Sequence, residues 1–151
     1  MRKILLSLLV LAVPAAAAAQ SAEDIAGARI GYYRLLGHEM SLLAAMAKGD
    51  VEYNAEKAAA AAKDLQTLTQ YSVSDLFAPG TSNAELPGKT RALPVIWEDM
   101  AGLGDKGAAY VSAVEELNGV AGNGLDALRP AVGKLGGTCK SCHDDFRAKD
   151  F

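Results

Sequence analysis

GGTCKSCHDDF, Gly136 to Phe146, contains the only two cysteines of the 151-residue chain, and only eight residues follow His143. Three chemistries use two thiols at this spacing, and each asks something different of the rest of the chain. A redox dithiol of the thioredoxin kind sits at a helix N-terminus after a strand, in a fold of alternating strands and helices, and this sequence offers almost no strand pattern. A structural zinc needs four N or S ligands; Cys139, Cys142 and His143 supply three, and the only other histidine is His38. Covalent haem needs nothing more: the two thiols bond to the vinyl groups, and His143, directly after the second, becomes the axial ligand of the iron. The stretch is therefore read as an attachment site for one haem c per chain, with Cys139 and Cys142 covalent and His143 on the metal.

That chemistry requires export, and the opening stretch provides for it. In MRKILLSLLVLAVPAAAAAQ, Arg2 and Lys3 precede an apolar run from Ile4 to Val13, followed by small residues in an A-x-A pattern. This is the layout of a secretory signal, too short in its apolar part for a span of about 20 residues. Residues 1–19 are expected to be cleaved and the rest to work in the periplasm, with no membrane attachment after cleavage. Two exported cysteines also suit a disulfide, but a cross-link around a two-residue loop stabilises little. Loss of Arg2 and Lys3 takes the formal charge from −3 to about −5. An acidic surface disfavours nucleic acid and anionic lipid as partners and suits a basic redox partner protein.

The pattern of the mature chain, 20–151, is helical. Ser21 and Asp24 form a start signal for a helix that continues to a stop at Gly49. VEYNAEKAAAAAKDLQTLTQ, 51–70, is alanine-rich and helix-favouring. SDLFAPGTSNAELPGKT, 74–90, reads as a long loop. A third helix is expected from Pro94 through IWEDMAGLGDKGAAYVSAVEELN to the GVAGNG break, and a fourth from an N-cap at Asn123 to the end, with Pro130 either kinking it or marking its true start. Four helices in about 130 residues imply an all-α, antiparallel four-helix bundle with the haem in its core. Gly136 lies seven residues before His143 on the same face, where a missing side chain would let the backbone approach the porphyrin; a merely tolerated glycine is the alternative.

These features together resemble the class II c-type cytochromes, and within them cytochrome c′. The resemblance rests on C-x-x-C-H at the C-terminal end followed by DDFR, on Y-x-x-L-G after Arg29, AKGD after the first helix, LFAPGTS in the loop, and VIWEDM at Val95 to Met100. It implies an up-down-up-down topology and a homodimer joined through the first two helices, where Ala44, Ala45 and Ala47 would permit close approach. It also implies three roles for residues: Tyr33 on the distal side of the iron, Arg29 pairing with a haem propionate, and Arg147 beside the proximal imidazole. Helix geometry agrees for Tyr33, since Ala26, Arg29, Tyr33, Met40 and Ala44 share a stripe. A snorkelling surface arginine remains open for Arg29, and a cation placed by the helix dipole for Arg147. His38 points away from Tyr33, Met40 lies about 10 Å further along the helix, and Met46 and Met100 read as core. Trp97 suits either a haem edge or the core.

Low-spin, six-coordinate relatives carry methionine where this chain has Tyr33, so the resemblance implies five-coordinate, high-spin iron that binds nitric oxide and carbon monoxide. A low-spin, six-coordinate electron carrier is the alternative. No catalytic residue is expected, because the distal histidine and arginine of a peroxidase are missing.

Overall fold

The computed structural model describes residues 20–151, so the expected signal segment, 1–19, lies outside them. Five helices follow in order: α1 Ala22–Lys48, α2 Ala55–Leu68, the one-turn α3 Val95–Glu98, α4 Met100–Val120 and α5 Leu125–Phe146, with a 3₁₀ turn at Ser74–Phe77. Ser21 and Asp24 close the first helix as a reciprocal capping box, and Gly49 ends it in the left-handed region at φ 86°. The first helix start and stop are therefore where the sequence puts them. Asn54 caps α2 by accepting from the Lys57 N–H.

α1 packs on α2 and α5, and α4 packs on α2 and α5, which closes a ring of four long helices. Consecutive long helices are neighbours and the last returns to the first, giving the expected up-down-up-down bundle. The core between them contains Leu43, Leu65, Leu117, Leu128 and Leu135, each fully buried. Each such side chain contributes about 1.5–3 kcal/mol of transfer free energy. Alanines fill the space between them: Ala58, Ala61, Ala62, Ala113, Ala121 and Ala131 are buried as well. Ala44 and Ala47 also pack against this core, so two of the alanines expected at a dimer contact serve the monomer.

The third helix is not continuous. Asp99, at φ −131° and ψ 61°, interrupts it and caps α4 by accepting from the Gly102 N–H at 2.9 Å. The same break leaves Met100 47% exposed at the start of α4, not in the core, whereas Met46 is buried as expected. Asn123 is not the cap of α5. Gly124 takes that place at φ 109°, and the Asn123 amide donates back to Gly119 O at 3.2 Å. Pro130 lies inside α5, so it marks no helix start.

A second apolar cluster, Leu76, Phe77, Ile96 and Phe146, sits apart from the main core with Cys142 and Tyr32 against it. The stretch from the 3₁₀ turn to α3 is fastened to α1 and α5 there. Trp97 Nε1 donates to Phe77 O at 2.9 Å. Ala92 bridges Arg147, and the Leu93 and Ala148 N–H groups donate to Phe146 O and Arg91 O. This fastening brings residues from the middle of the chain to the end of α5.

Candidate haem site

Cys139, Cys142 and His143 fall on one face of α5 because residues three and four apart on a helix are neighbours. Both thiols are free and half-buried, and burial pushes both pKa values up from the usual range, that of Cys142 against the opposing pull of the Lys106 cation. The thiols stay protonated and unpaired. His143, exposed on α5, is shifted the other way: partial desolvation lowers its pKa, and the Arg91 cation lowers it further. Both causes favour the neutral imidazole, the form that binds metal. Lys106 bonds Ser141 Oγ and Asp145 Oδ2, each at 2.7 Å, and so ties α4 to α5 alongside the thiols.

Two cavities, of about 400 and about 340 Å³, meet at this face. They share Tyr33, Phe77, Leu103, Cys142 and His143 as walls, and Cys139 lines the larger. Their chemistry differs. The larger is walled mainly by apolar and aromatic groups, among them Leu36, Leu65, Val73 and Leu135, whereas the smaller carries Arg29, Arg34, Arg91 and Arg147. An apolar slot next to a basic one, with two thiols and an imidazole on their common edge, suits an amphiphilic macrocycle whose rings are apolar and whose carboxylates are anionic. The donor set fits haem. It does not fit zinc, because His38 lies exposed on α1 and lines neither cavity. Among the described residues no group of three His, Cys, Asp or Glu side chains could hold a metal ion.

Tyr33 stands where the two cavities join. It is 42% exposed, in part to the cavities themselves, yet burial pushes its phenol up to about 12, with the nearby Cys142 contributing next. Its ring meets Tyr32 edge-on, 5.3 Å between centroids, and Tyr32 donates to Leu68 O. Met40 also walls the larger cavity.

Arg29 is not at the surface: it is 3% exposed. Its two terminal nitrogens donate four bonds, to Leu76 O at 2.9 Å, Thr81 Oγ1 at 2.8 Å, Thr81 O at 2.6 Å and Thr90 Oγ1 at 3.1 Å. The guanidinium also lies over the rings of Phe77 and Trp97. Only Nε is free for a propionate. Trp97 thus stacks on Arg29 and lines neither cavity. Arg147 is exposed at the wall of the basic cavity, but the arginine that acts on His143 is Arg91. Gly136 walls neither cavity, and a Cβ there would meet Met40 Cε at 3.5 Å, an ordinary contact. Arg91, Phe77, Leu103 and Tyr110 were not singled out by the sequence. Only Phe77 had a signal, in the quoted LFAPGTS, which also contains Thr81, an acceptor for Arg29.

Residues 24–147 match the family described as Cytochrome C′. The chain belongs to the cytochrome c′ family. A cytochrome c′ of Cereibacter sphaeroides is 53% identical over 149 residues, covering 99% of each chain. A solved cytochrome c′ from Rhodobacter sphaeroides, 52% identical, superposes with a TM-score of 0.84 over 86% of this chain and 99% of its own. A variant of cytochrome c′ from Alcaligenes xylosoxidans, solved as a nitric oxide complex, is 31% identical with a TM-score of 0.73, covering 85% and 97%. The cofactor of this family is covalently attached haem c, one per chain here.

Proposed function

We propose that the chain is an exported, periplasmic haem protein with high-spin, five-coordinate iron that binds small diatomic gases, nitric oxide and carbon monoxide, and has no dedicated substrate reaction. Electron exchange with a redox partner protein is its second use. Cys139 and Cys142 hold the haem, His143 is the axial ligand, Arg147 stands at the proximal face, and the free Nε of Arg29 with the basic wall receives the propionates. When bound, the haem supplies an iron whose ligand is selected by the polarity and crowding of the opposite wall.

The observation that carries this reading is Tyr33 at the junction of the two cavities, where burial raises its pKa. A neutral phenol is a poor iron ligand at neutral pH, so this position blocks the site without filling the coordination sphere. Charged or large ligands are disfavoured by the apolar wall. The nitric oxide complex of the Alcaligenes protein supports the ligand class. A homodimer through α1 and α2 is proposed with it, and Leu35, 57% exposed on α1, is a large apolar side chain open to that contact.

An optical spectrum of the resting holoprotein, followed by titration of the ferrous form with carbon monoxide and nitric oxide, tests the reading. High-spin bands and stoichiometric gas binding are expected. Sharp low-spin ferrous bands without added ligand would instead establish the six-coordinate carrier.

A further inference from the structure

Tyr110, on α4, has a hydroxyl that is buried and has no hydrogen-bond partner among the described residues. The side chain walls the larger cavity together with Tyr32, Tyr33, Leu103 and Cys139. A buried hydroxyl without an acceptor is costly, and native proteins rarely leave one so. Two other phenols differ: Tyr32, beside it, donates to Leu68 O, and Tyr53, outside the cavity, bonds Ala121 O and receives the Gly124 N–H. The hydroxyl of Tyr110 is thus held ready for an acceptor that the protein itself does not supply.

Two kinds of acceptor come with a haem and its ligand. Propionates are directed to the arginine-lined cavity, which Tyr110 does not border. Tyr110 shares the larger cavity with Tyr32 and Tyr33 of α1. The phenol therefore belongs to the cavity that a gas would enter past Tyr33. Burial pushes its pKa far up, so it stays a donor at any physiological pH.

We propose that Tyr110 is a second gas-site residue that donates its hydroxyl hydrogen bond to a diatomic held in the larger cavity, while Tyr33 controls entry. This rests on the gas-binding reading above. Its consequence is a division of labour: Tyr33 sets how fast a ligand arrives and Tyr110 how long it stays. The otherwise apolar wall then discriminates among diatomics by the charge on their outer atom, since a donor strengthens most the ligand that carries most negative charge there.

The test compares Tyr110→Phe and Tyr33→Phe with the unchanged holoprotein, all in the ferrous, carbon monoxide-loaded form. The readouts are the C–O stretching frequency and the ligand dissociation rate. Phenylalanine keeps the ring and removes only a hydroxyl without a protein partner, so the packing of α4 is retained. In Tyr110→Phe the stretching frequency is expected to rise, and dissociation to quicken by about three- to tenfold, the loss of one hydrogen bond. An unchanged frequency and rate in Tyr110→Phe, or a rise confined to Tyr33→Phe, overturns the inference and leaves gas binding standing. Failure of the unchanged holoprotein to take up carbon monoxide overturns both.

Discussion

Replacing Arg29 by methionine keeps the aliphatic stem and removes the fork that holds the loop to α1. Four bonds are lost, but not equally. Thr81 Oγ1 still donates to Ala78 O and Thr90 Oγ1 still receives the Ala92 N–H, so both hydroxyls keep a partner. The carbonyls of Leu76 and Thr81 lose the donors they have. Each stranded carbonyl costs about 1–3 kcal/mol. Against this, a guanidinium with no carboxylate partner is no longer buried, and that burial is what lowers the arginine's own pKa. A net loss of about 2–4 kcal/mol is expected. With a guanidinium chloride m-value of about 4 kcal/mol/M, the unfolding midpoint of the holoprotein should fall by about 0.5–1 M, at constant m. Trypsin should also cut after Lys89 or Arg91 sooner than in the parent. Arg29→Lys should rescue little, because one ammonium cannot span four acceptors arranged for a planar fork. A midpoint within 0.1 M of the parent, with unchanged proteolysis, would refute the strut and leave Arg29 as a propionate ligand only.

Cys139→Ala with Cys142→Ala should release haem to acid-acetone, while His143→Ala should keep it attached but without its axial nitrogen; extraction and the optical spectrum read the two separately. Tyr33→Ala should speed carbon monoxide association in flash photolysis, and Tyr33→Met should turn part of the population low-spin; unchanged kinetics together with a fully high-spin spectrum would reduce Tyr33 to packing. Burial raises the pKa values of Tyr32, Tyr33 and Tyr110, so these phenols stay protonated while unfolded tyrosines ionise near pH ~10. The fold holds the extra protons, so the stability this contributes is complete below pH ~10 and is lost as pH rises towards about 12, the value reached by Tyr33. Tyrosinate absorbance should therefore lag for these three and appear with unfolding; their ionisation near pH 10 in the folded protein would count against it. Light scattering should give a dimer mass at micromolar concentration, and Leu35→Glu should give the monomer.

Local chemistry was legible in the sequence, and long-range geometry was not. Ser21, Asp24 and Gly49 were readable because a cap depends on neighbours three or four residues away. That Cys139, Cys142 and His143 share a helix face was readable for the same reason. The break at Asp99 was hidden because the surrounding run has helix-favouring residues on both sides, and an aspartate inside such a run is ambiguous until its side chain is seen to accept from Gly102. Asn123 misled in the opposite direction. Its side chain suits an N-cap, but Gly124 at φ 109° turns the chain first, and the amide folds back on α4. Tyr110 sits among residues that read as an ordinary amphipathic helix, and only the folded cavity shows that its hydroxyl lacks a partner.

Arg29 has a structural role that the resemblance did not imply. The resemblance placed it at a propionate, yet four of its five N–H donors serve the loop, and that use is independent of any cofactor. The two roles are coupled. The strut packs Phe77 at the junction of the cavities, and Phe77 is a wall of both. The same stretch of chain brings Arg91 to the end of α5 through the Ala92–Arg147 bridge, where its charge helps keep His143 neutral. A single buried arginine on α1 therefore helps shape the apolar wall and fastens the segment that supplies the cation near His143. Loosening it should affect stability and haem environment together, whereas loss of a propionate contact alone would leave the loop in place.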